Sequence, residues 1–298
     1  MKVRIGVGLG TQTLNNSAET FGPYVEAVER HGFDSLWLSE RLTGDAPDPL
    51  VALAVAAGRT TRLKLGTGVL VLPGRNPVVL AKELASLDRL SGGRLLPAVG
   101  LGAPNPVEHR AFGVARGERS AWFDEALPLM RRLWTEHDVH HHGERFEVRG
   151  VTLRPRPVQD PIEIWLGGVA PSELRRCGRL GDGWLPSFCT VDDVRDGWPV
   201  ITAEAARHER EIDPEHLGAL VAYAEDRIPD RVAALIRSRR PELDPAAVIP
   251  VGLDALRAQL EAFIAVGASK FVVVAVEEPS DWDDSLGALA EALLPLET

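Results

Sequence analysis

Cysteine is scarce in this chain. Its 298 residues include two, Cys177 and Cys189, and neither stands in a CxxC or metal-ligand spacing. That excludes the disulfide framework of a small secreted domain, and a reducing cytoplasmic setting is expected. Lysine is nearly absent, at Lys2, Lys64, Lys82 and Lys270 alone, and 43 acidic against 33 basic residues give a formal charge of −10. Nothing therefore suggests a nucleic-acid partner, which would call for a basic face. No apolar run approaches the ~18 residues of a membrane span. The opening Met1–Val7 runs straight into a strand pattern, so neither a signal peptide nor membrane contact is expected. No Ser/Gly-rich or Pro-rich linker divides the chain, so residues 1–298 are expected to form one domain. There is no Gly-x-Ser-x-Gly elbow and no P-loop.

One block recurs in register. A short apolar run ends in a small or polar residue, and an amphipathic stretch follows. The runs are Val3–Leu9, Ser35–Leu38, Leu63–Leu70, Leu95–Leu101, Ile162–Leu166, Gly183–Leu185, Leu217–Ala224 and Lys270–Val276. Roughly eight such units predict a (β/α)8 TIM barrel. Val139–Arg154 alternates weakly around Gly143 and Gly150 and predicts a small hairpin inserted between helix 4 and strand 5. The helix over Val191–Glu211 is expected to break near Gly197–Pro199. Arg227–Pro250 is charged, interrupted by prolines, and expected to be irregular.

A barrel of this kind carries its chemistry at the C-terminal ends of its strands. Strand two ends in Ser39, Glu40 and Arg41. Glu40 there is a candidate acid, base or ring contact, and Arg41 a candidate anion contact. The alternative is a surface ion pair. After strand five, Gly167-Gly168-Val169-Ala170 leads into a helix at Pro171. Free amides at a helix start favour an anion such as a phosphate. The same glycines would serve equally well for a tight turn. Gly100-Leu101-Gly102 after strand four lets a flat ring lie close to the backbone, although the spacing is not that of a dinucleotide fingerprint. His140-His141-His142 alternate across a hairpin and cannot easily share one ion, so no metal is expected. His109 is a candidate substrate contact at the barrel mouth.

These motifs resemble the bacterial luciferase-like family, and within it the oxidoreductases that use coenzyme F420, a deazaflavin. The resemblance covers nearly the whole chain. It rests on Gly32-Phe33-Asp34-Ser35-Leu36-Trp37-Leu38-Ser39-Glu40, on Leu65-Gly66-Thr67-Gly68-Val69 with Arg75-Asn76-Pro77, and on Leu87-Asp88-Arg89-Leu90-Ser91-Gly92-Gly93-Arg94. Gly100-Leu101-Gly102, Trp165-Leu166-Gly167-Gly168 and Gly181-Asp182-Gly183-Trp184 extend it. It implies a ring cofactor in the barrel mouth. Ser39, Thr67, Gly68 and Val69 would stand behind the ring, with a non-proline cis peptide at Gly68–Val69. Leu101 and Gly102 would border it, and Gly167, Gly168, Val169 and Ala170 would hold its phosphate.

The chain departs from the better-known F420 dehydrogenases. Glu40-Arg41 stands where they carry Asp-His, and Ala103-Pro104 where they often carry Glu. The resemblance thus implies an F420-dependent oxidoreductase acting on a small organic molecule. An FMN-dependent monooxygenase fed by a flavin reductase is the second reading, and a flavin- or F420-binding barrel without turnover the third. Relatives are commonly dimers, so a homodimer is expected. The F420 tail needs a basic exit, for which Arg75, Arg175 and Arg176 are the candidates.

Overall fold

The ten strands and ten helices seen in the computed structural model, which describes residues 1–298, follow the recurrent block closely. The strands are β1 (Arg4–Leu9), β2 (Ser35–Leu38), β3 (Lys64–Val71), β4 (Leu95–Gly100), β5 (Val139–His142), β6 (Glu147–Val151), β7 (Trp165–Leu166), β8 (Gly183–Trp184), β9 (Gly218–Tyr223) and β10 (Lys270–Ala275). The helices are α1 (Ala18–Arg30), α2 (Pro49–Arg59), α3 (Pro77–Ser91), α4 (Pro106–Ala111), α5 (Arg119–Thr135), α6 (Pro171–Leu180), α7 (Val191–Arg207), α8 (Asp230–Arg239), α9 (Leu253–Ala265) and α10 (Trp282–Leu293). Eight strands form one parallel sheet in the order β8-β7-β4-β3-β2-β1-β10-β9. Single bridges from Trp184 to Leu217 and from Ser187 to Leu220 join its two ends, so the barrel is nearly closed. The antiparallel pair β5–β6 is the expected hairpin, lying between α5 and β7.

Two layers of apolar packing hold this arrangement. One lies between the strands and the surrounding helices. The other fills the barrel interior with Trp37, Ala98, Trp165, Leu185 and Val272. Glycine normally weakens a strand, but here it makes room for indoles. A Cβ on Gly66 would fall 2.6 Å from Trp37 Cε2, and one on Gly183 2.6 Å from Trp165 Cε2. Helices α2 and α3 start where side-chain caps allow. Asp48 accepts from the amides of Leu50 and Val51, and Asn76 from those of Val78 and Val79, each just before a proline.

The structure differs from the sequence expectations in four elements. Helix α7 runs unbroken through Pro199, because Val194, Gly197, Ile201 and Ala205 share one buried face. Gly197 leaves space there for Trp184, whose Cη2 would stand 2.6 Å from an added Cβ. Helix α8 occupies part of the segment expected to be irregular, anchored by Ala233 and Ile236. Strand β7 has two residues instead of five, because the Ile164 amide donates to the Asp182 carboxylate (2.8 Å) rather than to a neighbouring strand. Helix α4 carries His109 inside a full turn, where the sequence suggests a loop or helix start. No helix is long and apolar enough to cross a membrane.

Candidate functional site at the barrel mouth

The C-terminal ends of the strands open onto a cavity of about 830 Å3. Its floor is the top of the interior plug, with Val69, Leu185, Leu220 and Val274 facing it. Ser39, Glu40, Arg41, Gly68, Val69, Leu101, Gly102, Gly167, Gly168, Val169 and Ala170 all line it. Eleven residues singled out from the sequence are thus brought to one place. Thr67 and His109 are not among the lining residues.

One wall of the cavity is the β3 bulge. The β3–β4 register shifts between Gly68 and Leu70, and the Gly68–Val69 peptide is cis. The two residues that follow β2 grip this bulge in succession. Ser39 Oγ donates to the Gly68 carbonyl (2.6 Å) and the Glu40 amide to the Val69 carbonyl (3.1 Å). Glu40 Oε2 accepts from the Val71 amide (2.6 Å), while Oε1 pairs with Arg75. Thr67 sits behind the wall, fully buried, with Oγ1 donating to the Ala98 carbonyl (2.7 Å).

Both Glu40 oxygens are therefore engaged, and its side chain is 2% exposed. Burial lifts its carboxyl above the ordinary value, against the opposing pull of Arg75 and the Val71 amide. Arg75 also reaches Asp48 (3.6 Å) and donates to the Val71 carbonyl (3.2 Å). This is a correction to the expected basic exit, because Arg75 is committed to the wall. Arg175 is exposed and does not line the cavity. Arg176 does line it but is held by Asp124 (2.8 Å) over the Phe123 ring.

Arg41 gives its Nε to the buried Glu108 (3.3 Å), and its terminal nitrogens make no hydrogen bond within the protein. His109 Nε2 lies 3.0 Å from the Ala103 carbonyl of the loop after β4. Arg119 donates to His109 Nε2 and to the Ala103 carbonyl (3.4 Å). His109 is buried and does not line the cavity, so the expected direct substrate contact is not among the residues that face it. The three adjacent histidines face three separate carboxylates: His140 faces Asp138 (3.5 Å), His141 faces Glu125 (3.0 Å) and His142 faces Glu147 (3.8 Å).

At the Gly167–Ala170 turn, Gly168 has φ +91°, the left-handed conformation that favours glycine. The amides of Val169 and Ala170 donate to Glu173 Oε2 at 3.1 and 3.0 Å. A carboxylate thus stands where the sequence suggested a phosphate, and the donor set is one that takes an anion. Sequence reasoning missed the far wall. Helix α8 and its C-cap bring Arg239 and Arg240 over the mouth, and the loop after β8 contributes Ser187 and Phe188. Arg240 is bound to Asp193 (3.2 Å). Hydrogen bonds from Arg240 and Thr190 hold Asp193 below the ordinary carboxyl value, outweighing the opposing influence of burial. Arg239 is exposed, has no carboxylate partner, and lies 5.9 Å from the Phe188 ring centre.

The luciferase-like monooxygenase family model matches residues 1–243. Over 198 residues the chain is 35% identical to the F420-dependent glucose-6-phosphate dehydrogenase of Intrasporangium calvum, covering 60% of this chain and 58% of that protein. Over 245 residues it is 32% identical to the enzyme of the same name from Gordonia bronchialis, covering 75% and 70%. The match to the first of these relatives spans less than two thirds of its length. The crystal structure of the monooxygenase RslO1 from Streptomyces bottropensis superposes with a TM-score of 0.78 at 25% identity, over 98% of this chain and 99% of that one. The bulged β3 wall, the glycine-edged mouth and a match to most of the sequence lead to one conclusion: the chain belongs to the luciferase-like monooxygenase family.

Proposed function

We propose that this chain, working as a single domain, is an oxidoreductase that passes a hydride between coenzyme F420 and a small organic substrate. The observation that carries this reading is the β3 wall, fixed by Ser39 and Glu40 just after β2 and facing a cavity large enough for a tricyclic ring. The residues present fit the group. Gly68 and Val69 would back the ring, Leu101 and Gly102 would edge it, and the Gly167–Ala170 turn offers anion-binding amides for the phosphate. When bound, the deazaflavin supplies a hydride-carrying carbon, and the protein supplies orientation and electrostatics.

The chain's own residues divide the work. Glu40 is assigned a positioning role, because both its oxygens hold the wall or Arg75 rather than face a substrate. Leu220, Val274 and Leu185 exclude water from the floor. Arg41 and Arg239 are the cations at the mouth with donor capacity to spare, and they suit the carboxylates of the F420 tail or an anionic substrate. Free buried cysteines suit a reducing cytoplasmic compartment; burial pushes the Cys189 thiol up to about 12. The exposed Val51 and Val55 on α2, with Val79 on α3, suit burial against a second copy in a homodimer.

The test is titration of the purified protein with F420 and FMN, followed by oxidation of reduced F420 against a panel of carbonyl and enone substrates. Tighter F420 binding and substrate-dependent oxidation support the reading. Equal or tighter FMN binding rejects it. That result would favour an FMN-dependent monooxygenase with a flavin reductase partner, a reading supported by the similarity to RslO1. Binding without turnover would leave a non-catalytic barrel.

A further inference from the structure

We propose that Glu173 is an internal competitor for the cofactor's phosphate, and so sets how tightly this barrel holds a phosphate-bearing ring. The inference rests on the reading above for the ring, and on the geometry of one loop for the competition.

Glu173 lines the cavity, and its Oε2 accepts from both the Val169 and Ala170 amides, at 3.1 and 3.0 Å. It has no cationic partner. Arg176, the nearest cavity-lining cation in sequence, is spent on Asp124 (2.8 Å). The carboxylate also lies against Gly168, where an added Cβ would collide with Oε2. The charge of Glu173 is thus balanced by the turn's amides and by the positive end of helix α6. Pro171 contributes no amide at all. A phosphate reaching this turn meets donors already engaged by an anion, and the two like charges cannot share them at hydrogen-bond distance. Glu173 must swing aside before the phosphate seats.

A capped arrangement that must open lowers the apparent affinity by the fraction of time it is open. For a side-chain cap of this kind the penalty is about fivefold to tenfold. Removing the carboxylate should return that factor, and only to ligands that carry a phosphate.

The experiment titrates wild type, Glu173→Ala and Glu173→Gln with F420 and with its phosphate-free deazaflavin chromophore, read by fluorescence. FMN and riboflavin form a parallel pair. The expected result is that Glu173→Ala binds F420 and FMN about fivefold to tenfold more tightly, with the phosphate-free rings unchanged. Glu173→Gln, which keeps an acceptor but loses the charge, should fall between. Circular dichroism and a thermal midpoint establish that each variant is folded. Unchanged or weaker F420 and FMN binding in a folded Glu173→Ala variant overturns the proposal, as does an equal gain for the phosphate-free rings. Inorganic phosphate alone separates this idea from the cofactor assignment. It should raise the thermal midpoint of Glu173→Ala more than that of wild type, whichever ring binds. If that shift appears while F420 does not bind, the F420 reading falls and the competition stands. If F420 binds but neither variant discriminates, the competition falls and the F420 reading stands.

Discussion

Replacing Arg75 with Met tests the assignment of Glu40 to the wall. Arg75 pairs with Glu40 Oε1 and donates to the Val71 carbonyl at 3.2 Å. The Glu40 side chain is 2% exposed and that of Arg75 21%. Removing one partner of a buried ion pair costs about 3–5 kcal/mol, because the other charge is left without compensation. The partial exposure of Arg75 places this pair at the lower end. The lost hydrogen bond to Val71 adds about 1 kcal/mol. The Asp48 contact, at a 42% exposed carboxylate, contributes little. The expected destabilisation is about 3–4 kcal/mol at neutral pH. Urea unfolding of wild type, Arg75→Met, Glu40→Gln and the double variant measures it. The double variant should be more stable than Arg75→Met alone by at least about 1 kcal/mol, since it has no buried charge to strand.

The pH dependence has a definite sign. Burial already raises the Glu40 carboxyl value in the folded protein, and loss of Arg75 raises it further. A carboxyl raised by folding takes up its proton in the folded state first, so stability is gained as pH falls through the folded value. The Arg75→Met penalty should therefore be greatest near pH 7 and shrink toward about pH 5. A penalty below about 1 kcal/mol, or one that is flat with pH, would refute the claim that Arg75 compensates a buried Glu40 charge.

Gly168→Val should weaken F420 binding at least tenfold, because φ +91° is strained for a branched residue and its side chain would intrude on the path of the phosphate to the turn's amides; unchanged affinity in a folded variant, measured by fluorescence titration, would count against the turn as the phosphate end. Wild type should bind F420 more tightly than FMN, and the gap should narrow as salt rises, because exposed charges are screened. Arg239→Ser should remove much of that salt-dependent gap; a variant with the wild-type salt response would release Arg239 from tail binding. Size-exclusion chromatography with light scattering should give a dimer, and Val55→Asp on α2 should shift it toward monomer, whereas a monomeric wild type would rule out the α2 face as an interface.

The barrel was legible because strands buried on both faces leave continuous apolar runs. Strand β2 emerged with its boundaries intact, and β1 and β10 within a residue at each end. The cavity lining was legible for the same reason, since fold alone places strand ends at one face. The roles of the lining residues were not. Glu40 meets Arg75 from 35 positions away and Arg41 meets Glu108 from 67, and local patterning carries no trace of such pairings. Helix α8 was missed because its charge and flanking prolines mask two buried anchors, Ala233 and Ile236. With it went Arg239 and the far wall. Asp193 was hidden inside a helix expected to be broken. A helical reading of Asp230–Arg239 from the spacing of Ala233 and Ile236 would have recovered the roof.

The contrast between the two sides of the mouth bears on how such a barrel changes its chemistry over time. The β3 side is bonded at three points, Gly68, Val69 and Val71, to the two residues that follow β2, and is rooted in the barrel plug. The α8 side rests on a separate small cluster of Ala222, Ala224, Ile236, Val248 and Ile249. None of these residues belongs to the β3 wall, so a substitution of Ile236, Val248 or Ile249 should repack the roof without breaking the bonds by which Ser39 and Glu40 hold the bulge. Exchanging residues 226–250 for the corresponding segment of a relative, with Arg239 retained, should then transfer substrate preference and leave the choice of ring unaltered. Under the proposed function, the fold would separate what the barrel reacts with from what it reacts through, so that the first could change without the second.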